Sequence, residues 1–380
     1  MRIAQIAPLF ERVPPHCYGG TERVVSYLTD ELVSQGHTVT LFASGDSLTK
    51  ARLVAGCTRS LRLGDPTLDP VALHLAMLLR VYARAKEFDV IHCHTDYLGL
   101  PLTRTCRVPT VVTLHGRLDL QETHPIYRAF PDVSLVSISD AQRVSLDGVR
   151  WAATVHHGLP EDLYAFHDEP GRYLVFLGRI SPEKCPDVAI RVAVRAGIPI
   201  RIAAKVDVGD RRYFEDVVRP LLDHPLVEFL GEVDDRDKAD LLGNALALLF
   251  PVDWPEPFGM VLIEAMACGT PVIARLRGSV PEIITDGKTG VICETEDEMV
   301  AGVARVTAMS RAACRAEFER RFTAGTMARA YARAYERVAA KGVETRVAAR
   351  VATASPVLSP SAAASPYITS AGEGGNAPRR

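Results

Sequence analysis

The chain has 380 residues, 47% of them apolar and 24% charged, with 44 basic against 46 acidic side chains and a formal net charge of −2. That length and apolar content suit two domains with a sizeable core each and exclude a disordered or fibrous chain. The balanced charge gives no global field for a polyanion, and no Lys/Arg run supplies a local one, so nucleic acid is not an expected partner.

The eight cysteines, at 17, 57, 93, 106, 185, 268, 293 and 314, form neither a C-x-x-C pair nor a Cys/His metal spacing. Unpaired, mostly buried thiols point to a reducing, cytoplasmic setting. Residues 1–10 lack the uninterrupted apolar core of a signal peptide, and no apolar run approaches the roughly 18 residues of a membrane span.

In chain order, short β-branched runs alternate with longer helical patterns, the mark of βαβ units and a parallel sheet. Residues 2–7, 37–43, 90–93, 109–114 and 133–138 predict strands of a first sheet. Helices are predicted over 22–35, with Val24, Val25, Leu28 and Leu32 on one face, and over 70–86. A second series of strands is predicted at 173–177, 199–204, 227–230, 247–250, 271–274 and 290–293. Its helices are expected over 183–196, 238–244 and 259–268.

A non-periodic stretch at 157–171 marks a boundary, giving an N-terminal Rossmann-like domain at 1–165 and a second at 166–340. Open parallel sheets bind ligands at the carboxyl ends of their strands, so a cleft between the domains is the expected site. Residues 312–340 read as helical, with Phe318, Phe322, Met327, Tyr331 and Tyr335 on one apolar face. Residues 341–380 are expected to form a tail, Ala/Ser/Pro/Gly-rich and disordered from about Val351.

The densest chemistry lies in 251–271. Pro257 suits a first helical position and Gly269 a terminator, which places Glu256 at a helix start and Glu264 about two turns in, on a shared side. Glutamate at a helix start is also good capping. Glu264, however, stands in an otherwise uncharged run, where an unpaired carboxylate is costly unless something binds it.

The Glu256-x7-Glu264 pattern and its surroundings resemble the retaining nucleotide-sugar glycosyltransferases of family 4. The resemblance runs from Met1 to about Val338. It implies a GT-B fold, two Rossmann-like α/β domains facing a central cleft with a C-terminal helix returning toward the first. It implies transfer of a sugar, expected to be a hexose, from a nucleotide diphosphate donor to an acceptor hydroxyl. No metal or other cofactor is expected.

Further segments fit that resemblance. Gly19 and Gly20 follow the first strand and open the first helix, where backbone N–H groups can approach a phosphate; alone, a Gly-Gly turn is weak, and in the family this loop lies against the donor phosphates. Arg179 and Lys184 flank Ser181-Pro182, read as a helix start where two cations are unfavourable without an anion. The family binds the diphosphate with the matching pair, and more often has glycine where Cys185 stands. Lys205, at a strand end, is a third candidate phosphate contact or an edge charge. Val233 lies where the family reads its nucleobase, largely through main-chain groups. Pro257, Phe258, Gly259 and Met260 join the donor set through the helix start.

The stretch 277–282 looks like the family's glycine loop, although a tight turn before a capped helix explains most of it. On the first domain, His115 ends a β run beside Gly116, and the matching family histidine contacts the transferred sugar or the acceptor. His94 is a candidate acceptor contact. His156 and His157 fall in the expected linker and receive no role. Asp235-Arg236-Asp237 forms a D-x-D, the metal-diphosphate signature of another glycosyltransferase fold, but its charged surroundings read as a solvated turn.

The expected catalytic set is therefore Glu256, Arg179, Lys184 and His115, with Glu264 on the ribose. The acceptor, carbohydrate or lipid-linked, is left open. A non-catalytic sugar-nucleotide sensor or scaffold on the same fold is the rival reading.

Overall fold

The computed structural model describes residues 1–16, 19–62 and 67–354, with side chains to residue 340 except that of Asp235. Seven strands build the first sheet: β1 (Arg2–Ile6), β2 (Thr38–Ala43), β3 (Arg52–Ala55), β4 (Val90–Cys93), β5 (Thr110–Thr113), β6 (Ser134–Ser137) and β7 (Trp151–Thr154). Six build the second: β8 (Leu174–Arg179), β9 (Ile200–Lys205), β10 (Val227–Gly231), β11 (Ala247–Phe250), β12 (Val272–Arg275) and β13 (Gly290–Cys293). All pairings are parallel, in the orders β3-β2-β1-β4-β5-β6-β7 and β10-β9-β8-β11-β12-β13. Each order reverses at its first strand, so the crevice opens beside the carboxyl ends of β1 and β4 in one sheet and of β8 and β11 in the other.

The central strands are buried on both faces, which is why their sequences are continuous apolar runs. Strands β3 and β7, absent from the sequence prediction, are edge strands with half-exposed side chains.

The stretch read as helical over 312–340 is two helices, Arg311–Arg321 and Ala324–Ala354, broken at Phe322-Thr323. The break divides the predicted apolar face. Phe318 and Phe322 enter the core of the second domain, whereas Met327, Tyr331 and Tyr335 pack with Ile3, Leu28 and Val136 of the first. At the same point Leu159 N donates to Phe322 O (2.9 Å) and Ala324 N donates to Leu159 O (2.7 Å). The helix Ala324–Ala354 extends into the first part of the expected tail, and residues 355–380 lie outside the described residues.

Seven cysteines are described and all are free. Among the described residues no helix is long and apolar enough to cross a membrane.

Candidate functional site

The two sets of strand ends face each other across a cavity of about 790 Å³. It is lined by Gly19, Gly20, His94 and His115 from the first domain, and by Arg179, Lys184, Lys205, Val233, Glu256, Pro257, Phe258, Gly259, Met260 and Glu264 from the second. All the residues singled out from the sequence thus lie around one space, although several are held differently from expectation.

The helix predicted to start at Pro257 spans Met260–Ala267, and its N-cap is Gly259 at φ 78°. Glu256 therefore sits in a loop ahead of the helix, and Glu264 lies one turn in rather than two. The loop is backed by 277–279: Gly278 has φ +51°, and a Cβ there would stand 2.3 Å from Glu256 O and 2.4 Å from Glu256 N. Ser279 N donates to Glu256 O (3.0 Å) and Ser279 Oγ to Phe258 O (2.9 Å), so the serine holds this loop instead of capping the helix Val280–Ile283.

Arg179 and Lys184 flank a short 3-10 turn that starts at Ser181-Pro182 as read, and the α-helix itself begins later. Pro182–Lys184 is a 3-10 turn, Cys185 adopts φ 52°, ψ 50°, and the helix Pro186–Ala196 follows. A left-handed non-glycine residue costs roughly 1–2 kcal/mol. Cys185 holds that conformation with a buried thiol that donates to Pro182 O at 3.0 Å.

The predicted concentration of positive potential is balanced by carboxylates. Lys184 pairs with Glu256, which also accepts from Trp254 Nε1 at 3.0 Å. Arg179 bonds Glu183 at 2.8 Å, Lys205 pairs with Asp207 at 2.9 Å, and Lys238 pairs with Glu264 at 2.8 Å. An incoming anion competes with these internal partners, and desolvation makes the two more buried pairs, Lys184–Glu256 and Lys238–Glu264, sensitive to losing one member.

On the opposite wall Gly19 has φ +149°, and a Cβ there would come within 2.8 Å of Pro15 Cβ, so only glycine fits at the start of the helix Gly20–Ser34. Behind it lies a neutral histidine cluster. His94 Nδ1 and His115 Nε2 share a 2.8 Å hydrogen bond, and His94 Nε2 meets Gln5 Oε1 at 2.9 Å. His157, given no role by the sequence, lines the same cavity, stacking on His115 (5.2 Å, 16°) and packing edge-on against Phe258 (4.8 Å). Burial drives the His115 imidazole down to about 3 and holds His94 and His157 well below the ordinary histidine range. These rings are uncharged at neutral pH.

Asp96, also missed, lines the cavity in the left-handed region at φ 48°. Burial, partly offset by the His115 backbone N–H, pushes its carboxyl up to about 6. The available signal was position, since a carboxylate just beyond the carboxyl end of β4 points into the crevice. Lys238 carried no comparable signal, because its partner Glu264 is 26 residues away. Glu282, read as part of a capped turn, reaches the first domain: it accepts from Asp140 N (2.8 Å) and Ala141 N (2.7 Å) and meets His156 Nε2 at 3.2 Å.

Facing Rossmann-like domains with cations and carboxylates at the strand ends define the GT-B class of group-transfer enzymes. The family described as Glycosyl transferases group 1 matches residues 165–322, and Glycosyltransferase Family 4 matches residues 18–137. The chain belongs to the family 4 glycosyltransferases and is a glycosyltransferase enzyme.

It is 28% identical to a phosphatidyl-myo-inositol mannosyltransferase of Mycolicibacterium smegmatis over 78% of this chain and 82% of that one. A crystal structure of AviGT4, a glycosyltransferase of avilamycin A biosynthesis, superposes with TM-score 0.67 at 24% identity, covering 90% and 98% of the two chains. Anabaena HepE in complex with UDP and glucose gives TM-score 0.67 at 20% identity, covering 88% and 98%.

Proposed function

We propose that the enzyme takes a sugar, a hexose, from a nucleotide diphosphate donor and passes it to an acceptor hydroxyl with retention of anomeric configuration and without a metal. The observation that carries this reading is the gathering of Arg179, Lys184 and Lys205 at one end of a cavity whose wall also holds Glu256 and Glu264. The complex of HepE with UDP and glucose supports the choice of donor class.

The diphosphate lies against Arg179, Lys184, Lys205 and the Gly19-Gly20 amides, and takes Lys184 from Glu256 as it enters. Fixed cations are then in place where negative charge grows on the leaving group, the work a metal would otherwise do. Glu256, freed from Lys184 but still held by Trp254, binds the sugar hydroxyls beside the backbone of Phe258 and Gly259. Glu264 binds the ribose, Val233 borders the base, and His115 meets the sugar or the acceptor. The acceptor hydroxyl attacks the anomeric carbon on the face the diphosphate leaves: the bond from that carbon to the diphosphate oxygen breaks as the glycosidic bond forms, the leaving phosphate takes the hydroxyl proton, and no protein nucleophile is assigned.

A thermal-shift screen of UDP-, GDP- and ADP-sugars with EDTA present, followed by transfer assays and product NMR, tests the reading. Stabilisation by at least one sugar nucleotide in EDTA and an unchanged anomer in the product are expected. No stabilisation by any donor, or an inverted product, defeats it.

A further inference from the structure

The helix Pro70–Ala83 is apolar on both sides. Met77, Leu78, Val81 and Tyr82 are buried in the first domain, whereas Val71 (53%), Leu75 (40%) and Leu79 (58%) stand exposed at helical spacing. A helix apolar all round is ordinarily covered on every side. Here the outer face is a stripe about 12 Å long, from the 1.5 Å rise per residue.

The stripe begins inside the candidate active site. Val71 and His74 line the cavity together with Phe10 and Tyr97, which are themselves 44% and 41% exposed. The rings of Phe10 and His74 are 5.0 Å apart. The polar groups of this wall are engaged within the protein: His74 Nε2 accepts from Leu9 N (2.9 Å), His74 Nδ1 meets Pro70 O (2.6 Å), and Arg62 pairs with Glu11 (2.7 Å). The part of the first-domain wall formed by Phe10, Val71 and Tyr97 is therefore an apolar shelf, and Leu75 and Leu79 continue it along the helix to the surface. Exposed apolar area of this kind marks a binding surface.

The geometry points to an acceptor that is an amphiphile, its hydroxyl-bearing head inside the cavity near His115 and its apolar body laid on Phe10, Val71, Leu75 and Leu79. This rests on the glycosyl-transfer reading of the cavity and names the acceptor class that the reading leaves open. Continuity with the cavity through Val71, Phe10 and Tyr97, which line the space that holds the transfer site, favours a substrate over a separate protein partner.

The test is isothermal titration of the full chain with methyl, hexyl, octyl and decyl β-glucosides below their critical micelle concentrations. Affinity is expected to rise on the order of tenfold from hexyl to decyl, because an open shelf buries only part of each added methylene. Leu75→Asp, with folding checked by thermal melting, removes that gain, and Leu75→Met keeps it. Co-sedimentation with phosphatidylcholine vesicles identifies the source: binding lost in Leu79→Asp means the apolar body is presented by a bilayer, and alkyl-chain dependence without vesicle binding means a free amphiphile.

Affinity independent of chain length, a gain that survives Leu75→Asp, or a wild-type dimer split by Leu75→Asp with no chain dependence overturns the inference. Sugar-nucleotide stabilisation is measured separately, so loss of the shelf leaves the donor reading standing, and the reverse.

Discussion

On the second-domain wall of the cavity, Lys184, Arg179, Lys205 and Lys238 each face a carboxylate, and the chain carrying them is bent through Cys185 and Gly259. On the first-domain wall, His94, His115 and His157 are neutral rings in mutual contact, flanked by the apolar shelf. One wall is charged and exchangeable, its internal pairs standing where an anion can replace one member. The other is built around neutral rings and apolar side chains, with Arg62 paired to Glu11 and the titratable Asp96 carboxyl beside His115, and is suited to shape and to hydroxyl groups. Donor and acceptor thus meet different physics within one cavity.

The largest test of that contrast is Lys184→Met. It leaves the Glu256 carboxylate with Trp254 alone, and we expect transfer to fall about 10²–10³-fold and stability to fall by about 2–3 kcal/mol. Adding Glu256→Gln should restore stability in urea melts but not turnover. If single and double variants are equally stable, the pair is not an electrostatic unit.

Gly278→Ala comes next. Its methyl would collide with the Glu256 backbone, so turnover should drop roughly 10–100-fold, as expected when a 1 Å misplacement reaches the reacting groups, with donor stabilisation weakened in thermal shift. Unchanged kinetics would show that the 277–279 loop does not set the position of Glu256.

Asp96→Asn probes the histidine-lined wall. The folded-state carboxyl is raised to about 6, so its contribution is fully present below the unfolded value near 4 and is lost as pH rises through about 6. The variant should match wild type near pH 4 and exceed it above pH 6 by on the order of 1–3 kcal/mol. Melting temperatures across that range decide it, and a constant offset would contradict the burial.

The smallest effect is at Cys185, where glycine relieves the left-handed backbone but loses the buried thiol. Cys185→Gly should lie within about 1 kcal/mol of wild type and be more stable than Cys185→Ala, which loses the thiol without relieving the backbone. The reverse order in chemical denaturation would remove backbone strain from the account of this turn.

Much of this architecture was legible in the sequence. All six strands of the second sheet were located, the central ones because buried parallel strands are continuous apolar runs and the edge strand β10 through its alternation of Val227 and Phe229 with exposed residues. Strands β3 and β7 were not, since a half-exposed edge imposes no such pattern. The candidate site residues were picked out by their match to the family's motifs, with strand ends and glycine turns as weaker local cues, and they line one cavity. What local signals could not give was pairing: Lys238 with Glu264, Ser279 behind Glu256 and Glu282 across to Asp140 depend on segments brought together only by folding. Helix starts were misplaced by about three residues at Gly259 and Cys185 for a related reason. Proline supplied the expected start signals at 182 and 257, while backbone turning, enforced by packing against 277–279 in one case, decided where each helix began.

The break at Phe322-Thr323 has a mechanical side. The chain passes between the domains at 157–159 and again at 322–324, and the two passages are laced together by hydrogen bonds between Leu159 and its partners Phe322 and Ala324. Two crossings joined side by side make this ladder the natural hinge, so a closure of the cavity around donor is expected to turn about it. Spin-label distances across the cavity that change with donor while those across the 159–323 ladder stay fixed would show that hinge at work.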